Sequence, residues 1–332
     1  MKRIKKLIAL AVVLALAVFT FGCAKQENTA ENDYTEIYNQ TSVTLTAETD
    51  SFKVLKINDT HFINGTCKND KKTLEVLKGV LDKTECDLII CDGDIIEGNN
   101  KKITFDKYKA LKIFCELLEE YSTPWTFAPG NNDGEKDGTN EDVIAFMMNY
   151  EHFLCGNKEG IDGSIQFFID IEKDGEPVHS IAIMDSHSHD ENGEYDYIKE
   201  NQIDWLLSGI EQRRVYTSVF FHMPTPAFEA ACKNGEAYEG FPFSDKYSVS
   251  DIKRNSLFDE KTADNEYISL ISTGHVHSDN IAYYYNNRYY QLSSLGGYGA
   301  AGSKGCPVSY TLTTINLNAE SVKEMYEFEK LS

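Results

Sequence analysis

Five apolar runs of this chain each stop at a cluster of polar, metal-ligating side chains. Phe52–Asn58 runs into Asp59-Thr60-His61, and Leu88–Cys91 into Asp92-Gly93-Asp94. Pro124–Ala128 runs into Pro129-Gly130-Asn131-Asn132-Asp133, Val215–Phe221 into His222, and Tyr267–Ser272 into Gly274-His275-Val276-His277. Short apolar runs bounded by turn residues predict buried strands. Between them, apolar residues recur at helical spacing at Leu74, Leu77 and Leu81, at Phe105, Tyr108, Leu111, Phe114 and Leu118, over Val143–Phe153, and at Ile203, Leu206, Leu207 and Ile210. Strands alternating with helices predict the α/β class. Val43–Ala47, Ile165–Ile171, Ser180–Met184, Ile281–Leu292 and Ser309–Asn316 add β content, with a turn at Asp174-Gly175. Residues 225–265 are polar and turn-rich with no clear period, and no internal repeat is visible.

In an open α/β sheet, ligands bind at the carboxyl ends of the strands. The clusters there combine carboxylates, imidazoles and an amide, donors suited to borderline divalent ions such as zinc, manganese and iron. The chain holds 8 His, and His61, His222, His275 and His277 all fall in the clusters. Each fragment alone is weak: Asp-x-His is otherwise a turn with a surface His, and His-x-His a hydrated strand end. The ordered combination carries the argument. Of the remaining residues, His152 and His179 read as structural or exposed, and Asp133 as orienting its loop. Asp92 and Glu97 read as loop acids, with the alternative that they orient a metal-bound His. Lys101 and Lys102 read as solvated charges.

The set resembles the calcineurin-like metallophosphoesterase superfamily, whose pattern is Asp-x-His, Gly-Asp, Gly-Asn-His-Asp/Glu, a lone His, and Gly-His-x-His. The resemblance spans roughly residues 52–316. Phe220-Phe221-His222-Met223-Pro224, Asn201-Gln202-Ile203-Asp204-Trp205-Leu206 and Gly296-Gly297-Tyr298-Gly299 resemble a bacterial and fungal branch related to purple acid phosphatases. Purple enzymes carry a Tyr three residues after the second-motif Asp; Glu97 stands there, so no Tyr–iron chromophore is expected.

The resemblance implies a four-layer α-β-β-α sandwich, two mixed β-sheets flanked by helices, in a domain spanning 43–332. Carried over by motif, one ion is held by Asp59, His61, Asp94 and His277. A second is held by Asp94, Asn131, His222 and His275, with Asp94 bridging. The implied cofactors are two divalent metal ions (Mn, Fe or Zn). The implied activity is hydrolysis of phosphate mono- or diesters by a hydroxide generated at the dinuclear site. The substrate is then a phosphorylated small molecule or another phosphoester, and Asp94, Asn132 and Asp133 form the catalytic set.

Position 132 departs from the pattern. The family's His there is thought to contact phosphate and protonate the leaving group, whereas an amide donates hydrogen bonds but no proton near neutral pH. General acid catalysis contributes about 10²–10⁴-fold. Either another residue supplies the proton, with His187 and His189 as candidates against a plain solvated loop, or the chain is a degenerate phosphoesterase that binds metal and a phosphoryl ligand with little turnover. Residues 225–265 are the expected lid, where Tyr238, Phe241, Phe243 and Tyr247 either stack on a substrate or pack the insert onto the core.

The net charge is −21. Residues 1–22 hold four bases and no acid, so without them 28 bases face 53 acids, a net charge of −25. Such a surface repels a nucleic acid duplex, and bound cations would be needed to draw in a phosphorylated substrate. Residues 1–22 read as a signal peptide, with bases at 2–6 and an apolar run over 7–21 that is shorter than a bilayer span. The ending Gly22-Cys23 resembles a bacterial lipoprotein signal, although Thr20 replaces the usual aliphatic residue. This implies export, a lipidated Cys23 on a flexible acidic tether over 23–42, and anchoring to the outer side of the cell membrane; plain secretion or an uncleaved anchor are the alternatives. The chain has 8 Cys and no Cys-x-x-Cys. Without Cys23 the number is odd, and Cys86, Cys91 and Cys115 lie in apolar patterns, so no disulfide framework is expected.

Overall fold

A computed structural model describes residues 40–98, 106–135, 137–239, 256–278, 280–299 and 307–332. The expected signal peptide, Cys23, Lys101, Lys102, Phe241, Phe243 and Tyr247 lie outside the described residues. The strands in chain order are β1 (Ser42–Thr46), β2 (Ser51–Ile57), β3 (Leu88–Asp92), β4 (Trp125–Ala128), β5 (Phe153–Leu154), β6 (Gln166–Lys173) and β7 (Glu176–Met184). They continue with β8 (Thr217–Phe220), β9 (Glu236–Ala237), β10 (Ile268–Thr273), β11 (Ile281–Tyr285), β12 (Arg288–Leu292), β13 (Tyr310–Asn316) and β14 (Tyr326–Leu331). The helices are α1 (Lys68–Leu81), α2 (Lys107–Glu119), α3 (Asn140–Met147), α4 (Glu200–Arg213), α5 (Ala227–Asn234), α6 (Ser256–Thr262) and α7 (Val322–Met325). None of them is long and apolar enough to cross a membrane.

The strands form two mixed sheets. One runs β14-β13-β2-β3-β4-β5 and the other β1-β6-β7-β8-β10-β12-β11-β9. In the first, β2 to β5 are mutually parallel, and β13 and β14 close one side antiparallel. In the second, β7, β8, β10 and β12 are parallel, flanked by the hairpins β6–β7 and β11–β12. The central strands are fully buried (Leu88–Asp92, Trp125–Ala128, Thr217–Phe220 and Ile268–Thr273), as strands covered on both faces must be. Parallel neighbours need crossovers, and α1, α2 and α4 supply them. Thr139 starts α3 with a capping box to Asp142, and the Asp106 side chain accepts from Lys109 N to start α2. This is the expected α/β sandwich with helices outside the two sheets.

One apolar cluster joins both sheets to α1, α2 and α3 through residues such as Leu55, Ile89, Phe114, Phe127 and Phe167. A second packs Ile203, Leu206 and Ile210 of α4 and Phe258 of α6 against Val219 and Ile271. Each such fully buried side chain contributes roughly 1.5–3 kcal/mol. Cys91 and Cys115 are free and buried, and Cys86 is free and partly buried.

Polar groups also cross between the sheets. Lys56 Nζ donates to Ser272 Oγ (2.8 Å) and to the Thr273 carbonyl (2.7 Å), 3.6 Å from the Asp92 carboxylate. Burial pulls the Lys56 ammonium down to about 8, with the Asp92 charge opposing. His179 on β7 lies against Ser218 Oγ (2.9 Å), which reaches Tyr326 Oη at 2.9 Å, and Tyr326 in turn meets Ser269 Oγ at 2.6 Å. These contacts fix the register of one sheet on the other where apolar packing alone would let it slide.

Three expectations are corrected. The helical pattern over 143–153 ends at Met147, where Asn149 Nδ2 bonds the carbonyls of Ala145 and Phe146, and Phe153–Leu154 leave to pair with β4. Among its described residues the insert 225–265 holds two short helices, α5 and α6, whose buried faces of two residues each are too narrow to give a period. The β content extends beyond Asn316 to β14, where Tyr326 and Phe328 are buried and Glu327 and Glu329 exposed.

His179 yields a pH dependence. Burial lowers its pKa from 6.5 to about 3, so the folded chain refuses a proton that the unfolded chain accepts below about pH 6.5. The contribution is complete above that pH and is lost as pH falls toward the folded value. Between pH 7 and 5 it amounts to about 2 kcal/mol. Urea unfolding at both pH values should therefore show a smaller pH difference in His179→Asn than in the parent; an unchanged difference would refute this origin.

Candidate metal centre

The five motif loops leave the carboxyl ends of β2, β3, β4, β8 and β10, neighbouring strands of the two sheets. The pairing of β2 with β3 continues past their ends: Asp59 N donates to the Gly93 carbonyl, His61 N to Asp94 and Phe62 N to Ile95. Four of the predicted ligands sit in left-handed backbone: Asp59 (φ 51°), His61 (φ 49°), Asp94 (φ 50°) and His275 (φ 68°). Non-glycine residues in this region cost of order 1–3 kcal/mol and persist where the surroundings impose them.

Two buried carboxylates do the imposing. Asp133 accepts from Asp94 N (2.8 Å), Gly130 N (2.8 Å) and Ile96 N (3.0 Å), tying the loop after β3 to the loop after β4. Burial and the nearby Asp94 charge push its carboxyl up to about 6, against the pull of those amides. Asp70, in the first turn of α1, accepts from Ile63 N, Asn64 N and Gly65 N at 2.7–3.1 Å and fixes the chain leaving His61. Gly130 is required because a β-carbon there would lie 2.3 Å from Asp94 N and Oδ1.

The seven predicted ligands converge. Asp59, His61, Asp94 and His277 place one donor atom each within 4.8 Å of one another, and Asp94, His222 and His275 do the same. His61 Nε2 lies 3.0 Å from His277 Nε2 and 3.7 Å from Asp94 Oδ2, and His277 Nε2 is 3.1 Å from Asp59 Oδ1. On the other side His222 Nε2 is 3.4 Å from Asp94 Oδ2, and His275 Nδ1 meets Asn131 Oδ1 at 2.8 Å. Asp94 therefore belongs to both groups.

The outer partners set the imidazole orientation. His222 Nδ1 lies 2.8 Å from the Asp92 backbone carbonyl and donates to it, which leaves Nε2 to face the carboxylates. That Nε2 is buried without a hydrogen-bond partner. His61 Nδ1 lies 3.4 Å from Glu97 Oε2. Glu97 thus lies within ion-pair distance of His61 without a hydrogen bond to it, and Asp92 acts on His222 through its carbonyl while its side chain faces Lys56. An orphaned, oriented imidazole nitrogen beside two carboxylates fits a divalent cation.

The charges are arranged accordingly. Burial disfavours the imidazolium of His61, but Asp59, Glu97 and Asp94 outweigh it and raise the ring to about 10; His222 is raised to about 10 by Asp94 and Asp59 against the same penalty. Asp59 and Asp94 are held well below the carboxylate range, the histidines overcoming the cost of burial. Burial and the His222 charge lower His275 to about 4. Protons thus balance the acids, and a divalent ion must displace them to bind.

Asn132 turns onto the shared carboxylate: its Nδ2 donates to Asp94 Oδ2 (2.6 Å) and its backbone N to Asp94 Oδ1 (2.8 Å). His187 and His189 separate. His187 Nε2 meets Gln202 Oε1 at 2.8 Å in an internal network, whereas His189 lies at the rim, 3.2 Å from Glu135 Oε1. His152 pairs with Glu119, and Tyr238 packs against Tyr289 and Phe328, so of the four insert aromatics the described one joins the core. Asp70, Tyr195 and Glu135 carried no periodic or motif signal, and only their contacts reveal them.

Residues 52–279 match the calcineurin-like phosphoesterase family. The chain belongs to that family, and its carboxylates and imidazoles, grouped as above, could hold divalent metal ions. It is 27% identical over 262 residues to Phosphatase DCR2 of Saccharomyces cerevisiae, covering 69% of this chain and 45% of the yeast protein. It is 24% identical over 227 residues to the Arabidopsis thaliana protein named "Probable inactive purple acid phosphatase 14", covering 56% of each. The chain spans about half the length of the curated relatives it matches. The structure of purple acid phosphatase PPD1 from yellow lupin seeds aligns with a TM-score of 0.40 at 11% identity, covering 85% of this chain and 54% of that one.

The Gly296-Gly297-Tyr298-Gly299 segment lies directly on the first motif. A β-carbon on Gly297 would stand 2.1 Å from the Thr60 carbonyl oxygen, and one on Gly299 1.9 Å from that of His61. Gly297→Ala must shift the backbone that carries Asp59 and His61. It is expected to cost about 2–3 kcal/mol in urea unfolding and to weaken manganese binding by calorimetry; unchanged affinity and stability would show that this segment does not set the loop.

Proposed function

We propose that this chain is an exported, metal-dependent phosphoesterase that hydrolyses phosphate mono- or diesters at a dinuclear site. The observation that carries the reading is the shared Asp94 carboxylate, flanked on both sides by imidazole nitrogens with the buried His222 Nε2 unpartnered. Asp59, His61, Asp94 and His277 would hold one ion, and Asp94, Asn131, His222 and His275 the other. When bound, such a pair supplies Lewis acidity toward a phosphoryl oxygen and a water that ionises near neutral pH.

The protein's own part is positioning. The Asp92 carbonyl aims the His222 imidazole inward, Asp133 and Asp70 fix the loops, and Asn132 keeps an amide donor beside Asp94. That amide can hydrogen-bond a phosphoryl oxygen. Fixed donors of this kind stabilise developing charge without reorganising.

A second reading, a degenerate site that binds metal and a phosphoryl ligand with little turnover, is favoured by Asn132. Its Nδ2 occupies Asp94 Oδ2 where an imidazole is usual, and one relative is named as inactive. The test is an assay of the full chain, stripped and reloaded with manganese, zinc or iron, on an aryl phosphate monoester and a diester. Metal-dependent turnover that Asp94→Asn abolishes is the expected result. Metal binding without turnover, gained in Asn132→His, would select the degenerate reading; no metal binding would remove both.

The proposed location outside the cytoplasm rests on the basic residues at 2–6, the apolar run 7–21 and Gly22-Cys23. In bacteria fed an alkyne-tagged fatty acid, the full chain should take up label and Cys23→Ser should not. Label retained by Cys23→Ser would overturn the anchor.

A further inference from the structure

A phosphoesterase without an imidazole at position 132 needs another proton for any alcohol that leaves poorly. Of the chain's histidines, His61, His222, His275 and His277 belong to the metal centre. His152 is bound to Glu119, His179 lies buried between the sheets, and His187 is held by Gln202, whose own amide donates to Gln166 Oε1 and the Asp185 carbonyl. His189 is the remaining one, and its loop is anchored to the centre. The Asp185 carboxylate takes Ser164 N, Ser164 Oγ and His187 N, while Ser188 Oγ donates to the Asn131 carbonyl at 2.6 Å.

Three contacts link His189, through Tyr195, Ser188 and Glu135, to the loops that carry His275 and position 132. Its ring lies 4.9 Å from that of Tyr195, which meets the His275 ring edge-on at 4.9 Å. Its Nδ1 faces Glu135 Oε1 at 3.2 Å and Ser188 Oγ at 3.1 Å. Glu135 reaches back to position 132: the point where Gly98 lacks a β-carbon is 2.3 Å from Glu135 Oε2 and 3.0 Å from Asn132 Oδ1. Glu135 and His189, with Thr139, Asn140 and His187, line a polar cavity of about 450 Å³. Burial raises the Glu135 carboxyl, and His189 opposes that shift.

We propose that His189 Nε2 protonates the leaving oxygen in place of the imidazole absent at position 132, with Glu135 as the positioning residue that holds Nδ1–H; this rests on the phosphoesterase reading above. In the step, the oxygen of the attacking water forms the new P–O bond and the bond to the leaving oxygen breaks. The electron pair of the broken bond stays on the leaving oxygen, which takes the imidazolium proton and departs as an alcohol. The proton lost by the water returns to His189 through solvent, so that ester and water give alcohol and phosphate.

The test compares the full, manganese-loaded chain on 4-nitrophenyl phosphate, whose leaving group departs as an anion, and glycerol phosphate, whose leaving group does not. His189→Asn should lose roughly 10²-fold in kcat on glycerol phosphate and several-fold less on the aryl ester. Glu135→Gln should lower kcat on glycerol phosphate with KM unchanged, and adding Asn132→His to His189→Asn should restore turnover of that ester. Manganese calorimetry on each variant reports whether the centre is intact, and His189→Gln carries the same comparison if His189→Asn does not fold. Equal losses on the two esters, or none, would overturn the proton donor alone; a parent chain that turns over neither ester would overturn it together with the phosphoesterase reading.

Discussion

Asp133 accepts hydrogen bonds from the backbone of Asp94, Ile96 and Gly130, and through them one carboxylate fixes two of the five loops that meet at the strand ends. The arrangement depends on burial. In water those amides would be satisfied by solvent and the loops would have no single shape; inside the protein an unpaired amide costs about 1–3 kcal/mol, so each has one partner and one place. Asp70 does the same for the chain leaving His61. The candidate ligands are therefore held by a scaffold of charge-to-backbone bonds, beneath which the apolar core supplies stability but little direction.

The strands and the clustering of the candidate ligands were legible in the sequence because both leave local marks. A buried strand is a run of apolar residues, and a ligand cluster is a set of uncommon side chains at its end. The supporting groups leave no such mark. Asp70 is one acid in a lysine-rich helix start, and only folding brings it under residues 63–65. The Asp92 contribution to His222 passes through a carbonyl that every residue possesses. Gly296–Gly299 was recognisable as a family signal, but its purpose, to admit the backbone of residues 58–61, exists only in three dimensions. The helices of the 225–265 insert were missed because two buried residues on each do not make a period, whereas β14 was missed although its alternation was present in the sequence.

The acidic composition and the centre answer one another. A chain of net charge −21 gathers Asp59, Asp92, Asp94 and Asp133 within one buried region and balances them with Lys56 and protonated imidazoles. Cations are the natural complement of such a site. Lys56, pinned by Ser272 and the Thr273 carbonyl, also links the floor of the first motif to the strand that ends at His275, so the two sheets meet through a charged bond beneath the ligands.

The left-handed backbone at Asp59, His61, Asp94 and His275 has a consequence for which sequences can build this centre at all. That region is several-fold enriched in Asn, Asp and His among residues with side chains. The same short, polar residues are good donors to divalent ions. Two unrelated demands, one from coordination and one from chain geometry, thus draw on a single small alphabet. Glutamate, an adequate donor elsewhere, meets only the first of them, so the strand ends of such a fold leave evolution few spellings of the same site.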